Sequence, residues 1–153
     1  MNAIPSVLCV LVLAAVPAAP VAAGNEGAAA GCGYVSTSGA LPPQSHGLFL
    51  ATVTSVNGRS VSPKFRHKVP AGHAVITVAE RIDPDNFNRS QLRDRSAMQR
   101  REGKKAYKQL EIDVAPDTRY DLATKADINV GTDTSENTYW EPVVWAQSSE
   151  TCR

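Results

Sequence analysis

Between Leu48 and Gln147 the apolar residues recur at every second position in short runs broken by turn-forming residues, the period of half-buried strands. Leu48 to Val56 is β-branched and apolar and runs into Asn57-Gly58, a pair that supplies the positive φ angles of a tight hairpin turn. Phe65, His67 and Val69 alternate with Lys64, Arg66 and Lys68, and Pro70-Ala71-Gly72 ends that run. From His73 to Ile82, Ala74, Ile76, Val78 and Ile82 share a face on which Glu80 is the exception. Lys108 to Val114 places Leu110, Ile112 and Val114 inward and Gln109, Glu111 and Asp113 outward. After the Pro116-Asp117 turn, Arg119 to Ile128 sets Tyr120, Leu122, Ala126 and Ile128 on one face. Tyr139 to Gln147 is the last run, and Pro142 marks it as an edge strand. Sequential hairpins of this kind predict an all-β fold, an antiparallel sandwich of the immunoglobulin or transthyretin type with about six or seven strands.

One segment breaks the rhythm. Residues 84–105 are polar, with Asn88 or Ser90 able to cap a helix and Gly103 able to end it. Leu92 and Met98 are six apart and do not share a helical face. The insert is therefore expected as a basic loop or a short solvated helix with little apolar surface to dock.

The ends of the chain carry a different pattern. Residues 1–23 contain no charged side chain, and Val7 to Val16 is an uninterrupted apolar run too short to span a bilayer. Val21-Ala22-Ala23 matches the small-x-small pattern of signal-peptide cleavage, which predicts a mature chain from Gly24, exported to the periplasm or secreted. No later run is long and apolar enough to make a transmembrane span in the mature chain. Residues 24–47, rich in Gly, Ala and Pro, read as a flexible lead in which Tyr34-Val35 forms at most a short edge strand, and 48–153 as the sandwich domain. Cys9 leaves with the signal region, whereas Cys32 and Cys152 stand near opposite ends of the mature chain and are expected to form a disulfide clasp. The rival reading is a lipoprotein anchored at Cys32, since Ala30-Gly31-Cys32 ends like a lipobox. Against it, Ala29 stands where Leu is usual.

The run VNGRSV…FRHKVPAGHAVITVAER…KQLEIDVAPDTRYDLATK resembles small exported bacterial β-sandwich modules of the PEGA type and similar lipoprotein-associated domains of unknown function. The shared marks are an Asn-Gly turn, a Pro-x-Gly-His turn into a Val/Ile strand, and a polar turn ending in Tyr120. The resemblance covers roughly Val53 to Lys125 and implies an envelope-protein module; it brings no catalytic residues.

Charge narrows the functional classes. The formal net charge is +1, but from Asn57 to Lys108 thirteen Lys and Arg stand against five acids, and from Gln109 to Arg153 nine acids stand against three bases. Arg89, Arg93, Arg95, Arg100, Arg101, Lys104, Lys105 and Lys108 crowd the insert and its exit, a candidate surface for an anionic partner. An envelope protein, or anionic lipid or polysaccharide, is the partner this implies; nucleic acid is not expected. Tyr139, Trp140 and Trp145 are candidate interface aromatics, since the two indoles have opposite strand parity and only one can face the core. His67 and His73 could approach across a turn, but two imidazoles without a third ligand make no zinc site, and His46 carries no signal. No Gly-x-Ser-x-Gly elbow, phosphate loop or cofactor motif is present. The chain thus reads as a non-enzymatic binding module. The alternatives are a periplasmic hydrolase using outward carboxylates such as Asp113, Asp117 and Asp121, and a secreted enzyme inhibitor.

Overall fold

A computed structural model of the chain describes residues 31–37, 46–102 and 107–153. The described elements are strands β1 (Cys32–Ser36), β2 (Leu48–Val56), β3 (Arg59–Ser60), β4 (Arg66–Pro70), β5 (Gly72–Arg81), β6 (Tyr107–Val114), β7 (Thr118–Ala126) and β8 (Trp140–Ser149), with one α-helix, α1 (Arg89–Glu102), between β5 and β6 in the chain. The strands run in the order β4-β1-β7-β2-β5-β6, with β3 beside β2 and β8 beside β7. β2 joins two halves: Leu48 and Phe49 pair with β7, and from Leu50 onward the strand pairs with β5. The fold is all-β, as the alternation requires. The predicted inward set of β5 is buried. Of the β7 set, Tyr120, Leu122 and Ala126 are buried, while Ile128, past the strand end, is partly so. β7 also buries Thr124 and, from its other face, Asp121 and Ala123. Leu110, Ile112 and Val114 of β6 pack on the larger core.

The connectivity differs from a chain of hairpins. β2 and β3 form the expected tight hairpin, with Asn57 at φ 48° and Gly58 at φ 74°, and β5–β6 and β7–β8 also pair antiparallel across longer connections. β4 and β5 do not pair: a single residue, Ala71, separates them, too few for a hairpin loop, and Gly72 at φ 108° swings the chain into the other half. β4 pairs with β1 instead. β6 and β7 do not pair either. Between them the Tyr120 hydroxyl donates to the carbonyl of Asp113 (3.0 Å) and accepts from the amide of Ala115 (2.9 Å), pinning an arch that crosses between the halves. β1, expected within a flexible lead or at an edge, lies centrally between β4 and β7, and its pairing with β7 is parallel. The sheet is therefore mixed. β8, with Pro142 opposite Thr124, is an edge strand that pairs with β7 alone.

Two apolar clusters result. The larger joins Val35, Val53, Val69, Ile76, Val78 and Leu122 from both halves. The second, at the α1 end, holds Phe49, Ile82, Phe87, Met98, Tyr139 and Trp140. Far from α1, Cys32 and Cys152 stand at disulfide distance with Cα atoms 5.6 Å apart. Asp117 gathers the same corner: its amide donates to the Cys32 carbonyl (2.9 Å) and its carboxylate accepts from the Cys152 amide (2.7 Å). Residues 1–23 and most of the lead fall outside the described residues.

His67 is buried beside Val35 and bonds the Lys64 carbonyl through Nε2 at 3.0 Å. Burial, with a smaller push from the Lys64 charge, holds its pKa below the ordinary 6.5, against the pull of that hydrogen bond. The unfolded chain therefore takes up the imidazole proton more readily than the folded one. The stability His67 contributes is complete above pH 6.5 and is lost as pH falls through the folded value. His67→Gln is expected to flatten the stability profile on the acid side of neutrality, measured by urea unfolding; an unchanged slope would assign that titration elsewhere.

Candidate functional site

The insert becomes a docked helix because its polar residues are spent on contacts. Asn88 Oδ1 accepts from the amide of Gln91 and Gln91 Oε1 accepts from the amide of Asn88, both at 3.0 Å. This reciprocal capping satisfies two donors at the helix start and is worth about 1 kcal/mol. The buried Gln91 also donates through Nε2 to the carbonyls of Asn129 (2.8 Å) and Thr132 (3.3 Å), and its own carbonyl accepts from the Thr134 hydroxyl (2.8 Å). Met98 is fully buried. Gln91, Arg95 and Met98 fall on one side of a helix with 3.6 residues per turn. The docking face is thus half polar, and apolar periodicity could not reveal it.

Its centre is Glu80, the residue that breaks the apolar face of β5. The carboxylate side chain is 2% exposed. Glu80 Oε1 accepts from Arg95 Nε at 2.9 Å and from the Tyr139 hydroxyl, which also lies 3.1 Å from Arg95 Nε. Glu80 Oε2 has no hydrogen-bond partner among the described residues. Burial and the adjacent Glu80 carboxylate push the Tyr139 hydroxyl far above its ordinary value, so it stays a donor. Burial opposes the charge on Arg95, but the Glu80 carboxylate outweighs it and keeps the guanidinium protonated. The guanidinium also lies 5.2 Å from the centre of the Phe87 ring, which meets Tyr139 edge-on at 6.1 Å.

Beside this centre Lys108 donates to the Trp140 carbonyl and sits 5.0 Å from the centre of its ring. Burial lowers the Lys108 pKa, opposed by the charges of Glu141 and Glu80. A cleft of about 480 Å³ opens here, lined by Lys108, Lys125, Asp127, Tyr139, Trp140 and Glu141. Lys125 and Glu141 pair across it at 3.6 Å.

The sequence-predicted basic residues separate into groups. Arg95 and Lys108 are built into the core of the α1 end. Arg101 bonds the Ser135 carbonyl at 2.9 Å and lies 3.5 Å from Glu136. Lys104 and Lys105 fall outside the described residues. Arg89, Arg93 and Arg100 are exposed and fall within about 40° of one another on the helical wheel, opposite Gln91 and Met98. They form a stripe about 16 Å long at 1.5 Å rise per residue. Arg89 and Arg100 make no ion pair among the described residues, and Arg93 only approaches its neighbour Asp94 at 4.0 Å. Of the candidate aromatics, Tyr139 and Trp140 are buried at 5% and 2% exposure, which removes them from any interface. They pack under Glu80 and Lys108 instead. Trp145 is half-buried where β8 bulges opposite Asp121 and Leu122.

The outward carboxylates are scattered. Asp113 lies open to solvent 3.6 Å from His73, Asp117 holds the C-terminal corner, and the buried Asp121 pairs with Arg119 at 3.1 Å. Among the described residues no group of three His, Cys, Asp or Glu side chains is placed to hold a metal, and no helix is long and apolar enough to cross a membrane. Comparison with protein-family models, with curated proteins and with solved structures found no match.

Proposed function

We propose that the protein is a non-enzymatic exported module that binds an anionic envelope component through Arg89, Arg93 and Arg100 on α1. The observation that carries this reading is the stripe itself: three exposed arginines on the helix face opposite the docked one, presented from a helix that Gln91, Arg95 and Met98 hold in place. Arg89 adds support. It occupies the first turn, where the macrodipole favours acids, and no acidic residue is there to offset it. A cation so placed costs a few tenths of a kcal/mol of helix stability, so packing supplies no reason for it. Arginine also suits phosphate and carboxylate groups, which it binds in a bidentate fashion.

Vesicles test this directly. The protein is expected to co-sediment with vesicles containing an anionic phospholipid and not with neutral ones. At roughly 1 kcal/mol per basic residue near such a surface, changing Arg89, Arg93 and Arg100 together to Ser should weaken binding by about a hundredfold. Binding should also fade as salt rises through about 0.15 M, where the Debye length is about 8 Å. Binding that survives both the triple substitution and high salt would remove the stripe from the function, and binding to an acidic protein but to no vesicle would replace the lipid surface by a protein partner.

A further inference from the structure

The strand order ends on β4 at one side and β6 at the other, and no described strand pairs with the outer edge of either. Backbone hydrogen bonds show which groups these edges present. Phe65 accepts from the Thr37 amide and the Ala71 amide donates to Gly31, so alternate residues Phe65, His67 and Val69 face β1. Arg66, Lys68 and Pro70 accordingly turn their main-chain groups to the open edge. On β5, Val75 and Thr77 bond towards β2, so Ala74 and Ile76 face their register partners Ile112 and Leu110. Gln109, Glu111 and Asp113 therefore turn their amides and carbonyls outward on β6.

The same residues carry exposed side chains of opposite sign on the two edges. Arg66 and Lys68 are exposed on β4; Glu111 and Asp113 are exposed on β6, Asp113 with 91% of its side chain free. Lys68 and Glu111 have no ion-pair partner among the described residues. Pairing either edge with itself sets like charges opposite one another, which disfavours a symmetric contact. Pairing β4 of one copy antiparallel to β6 of another does the reverse. With Lys68 opposite Glu111, Arg66 meets Asp113 and Pro70 meets Gln109, each with its main-chain groups aimed at the partner. In that register His67 and Val69 stand opposite Ile112 and Leu110 on the inner face. Leu110 and Ile112 are only half-buried at their open edge, and the added strand covers them. Pro70 lacks an N–H and offers only its carbonyl, as an edge position tolerates. Arg66 is shared with Glu150 and the Tyr34 ring, so Lys68 and Glu111 dominate the charge match.

We propose that the chain associates with a second copy of itself head to tail, the β4 edge of one molecule adding to the β6 edge of the next. The two surfaces differ, so the contact is heterologous and each added copy leaves one free edge of each sign. This proposal uses neither α1 nor its arginines and stands independently of the anion-binding reading.

Sedimentation velocity on the purified, oxidised protein across a concentration series into the millimolar range tests it. The expected result is a weight-average mass that rises with concentration past that of a dimer. Lys68→Glu alone, or Glu111→Lys alone, should weaken association about tenfold. An equimolar mixture of the two single variants, and the double variant K68E/E111K, should both regain it. All substituted positions are exposed, and thermal melts matching the parent protein establish that each variant is folded. A monomer throughout the series overturns the proposal. So does association indifferent to both charge reversals, or single-variant losses that the mixture and the double variant fail to restore.

Discussion

Arg95→Met is expected to destabilise the protein by about 3 kcal/mol, the lower end of the range for breaking a buried ion pair. The substitution keeps most of the volume and the apolar contact with Phe87 but leaves the Glu80 carboxylate uncompensated at 2% exposure. The lower end is appropriate because the Arg95 side chain is 16% exposed, so some water reaches the site. The Tyr139 hydroxyl remains as the sole donor to Glu80 Oε1, and a neutral donor satisfies a buried charge poorly. Because Arg95 lies midway along α1 and α1 covers Trp140, helical circular dichroism and the signal of that tryptophan should both fall at lower urea than in the parent protein. The double variant E80L/R95M should recover much of the loss, since an apolar pair of similar volume carries no desolvation cost. A single-variant loss below about 1 kcal/mol would mean that Gln91 and Met98 hold the helix by themselves.

Cys152→Ser is expected to cost 2–5 kcal/mol. The two cysteines are 120 residues apart in sequence, so the bond constrains nearly the whole described chain in the unfolded state. The local cost adds to this. β1 fills the centre of its half of the sheet with the fully buried Val35, and the C-terminal residues reach it through bonds between Arg153 and the Tyr34 hydroxyl. Thermal denaturation with and without reductant should show the same loss as the substitution. Both thiols should resist alkylation until the protein is reduced. A Cys152 thiol that reacts without reductant, or a diacylglycerol-sized mass increment on Cys32, would replace the clasp by the lipoprotein reading.

How much of the site could be read beforehand depended on the kind of contact. The strands of the domain were legible because alternation needs only local information: a side chain two positions away points the same way. Glu80 was visible as an anomaly on an apolar face, and its partners were not, since Arg95 and Tyr139 lie 15 and 59 residues from it. The helix was legible at its start, through Asn88, and illegible along its docking face. Gln91 and Arg95 look like solvated residues until the carbonyls and carboxylate that receive them are placed. Tyr139 and Trp140 were legible as strand aromatics, but burial depends on what covers them, and the cover is α1 and Lys108.

The sequence alone determined the segments of β2 and of β4 to β8, the inward faces of β5 and β6, the Asn57-Gly58 turn and the clustering of basic residues in the insert, all consequences of spacing along a single stretch of chain. Tertiary structure alone decided which strands pair. Ala71 and the Tyr120-pinned arch send β5 and β7 to partners distant in sequence, and β1 enters parallel to β7. It also sorted six of the eight similar-looking basic residues into core ligands, a loop contact and an exposed stripe. A cation's role follows from the acceptors within a few ångströms of it, and here those acceptors come from β5, β8 and the loop between β7 and β8.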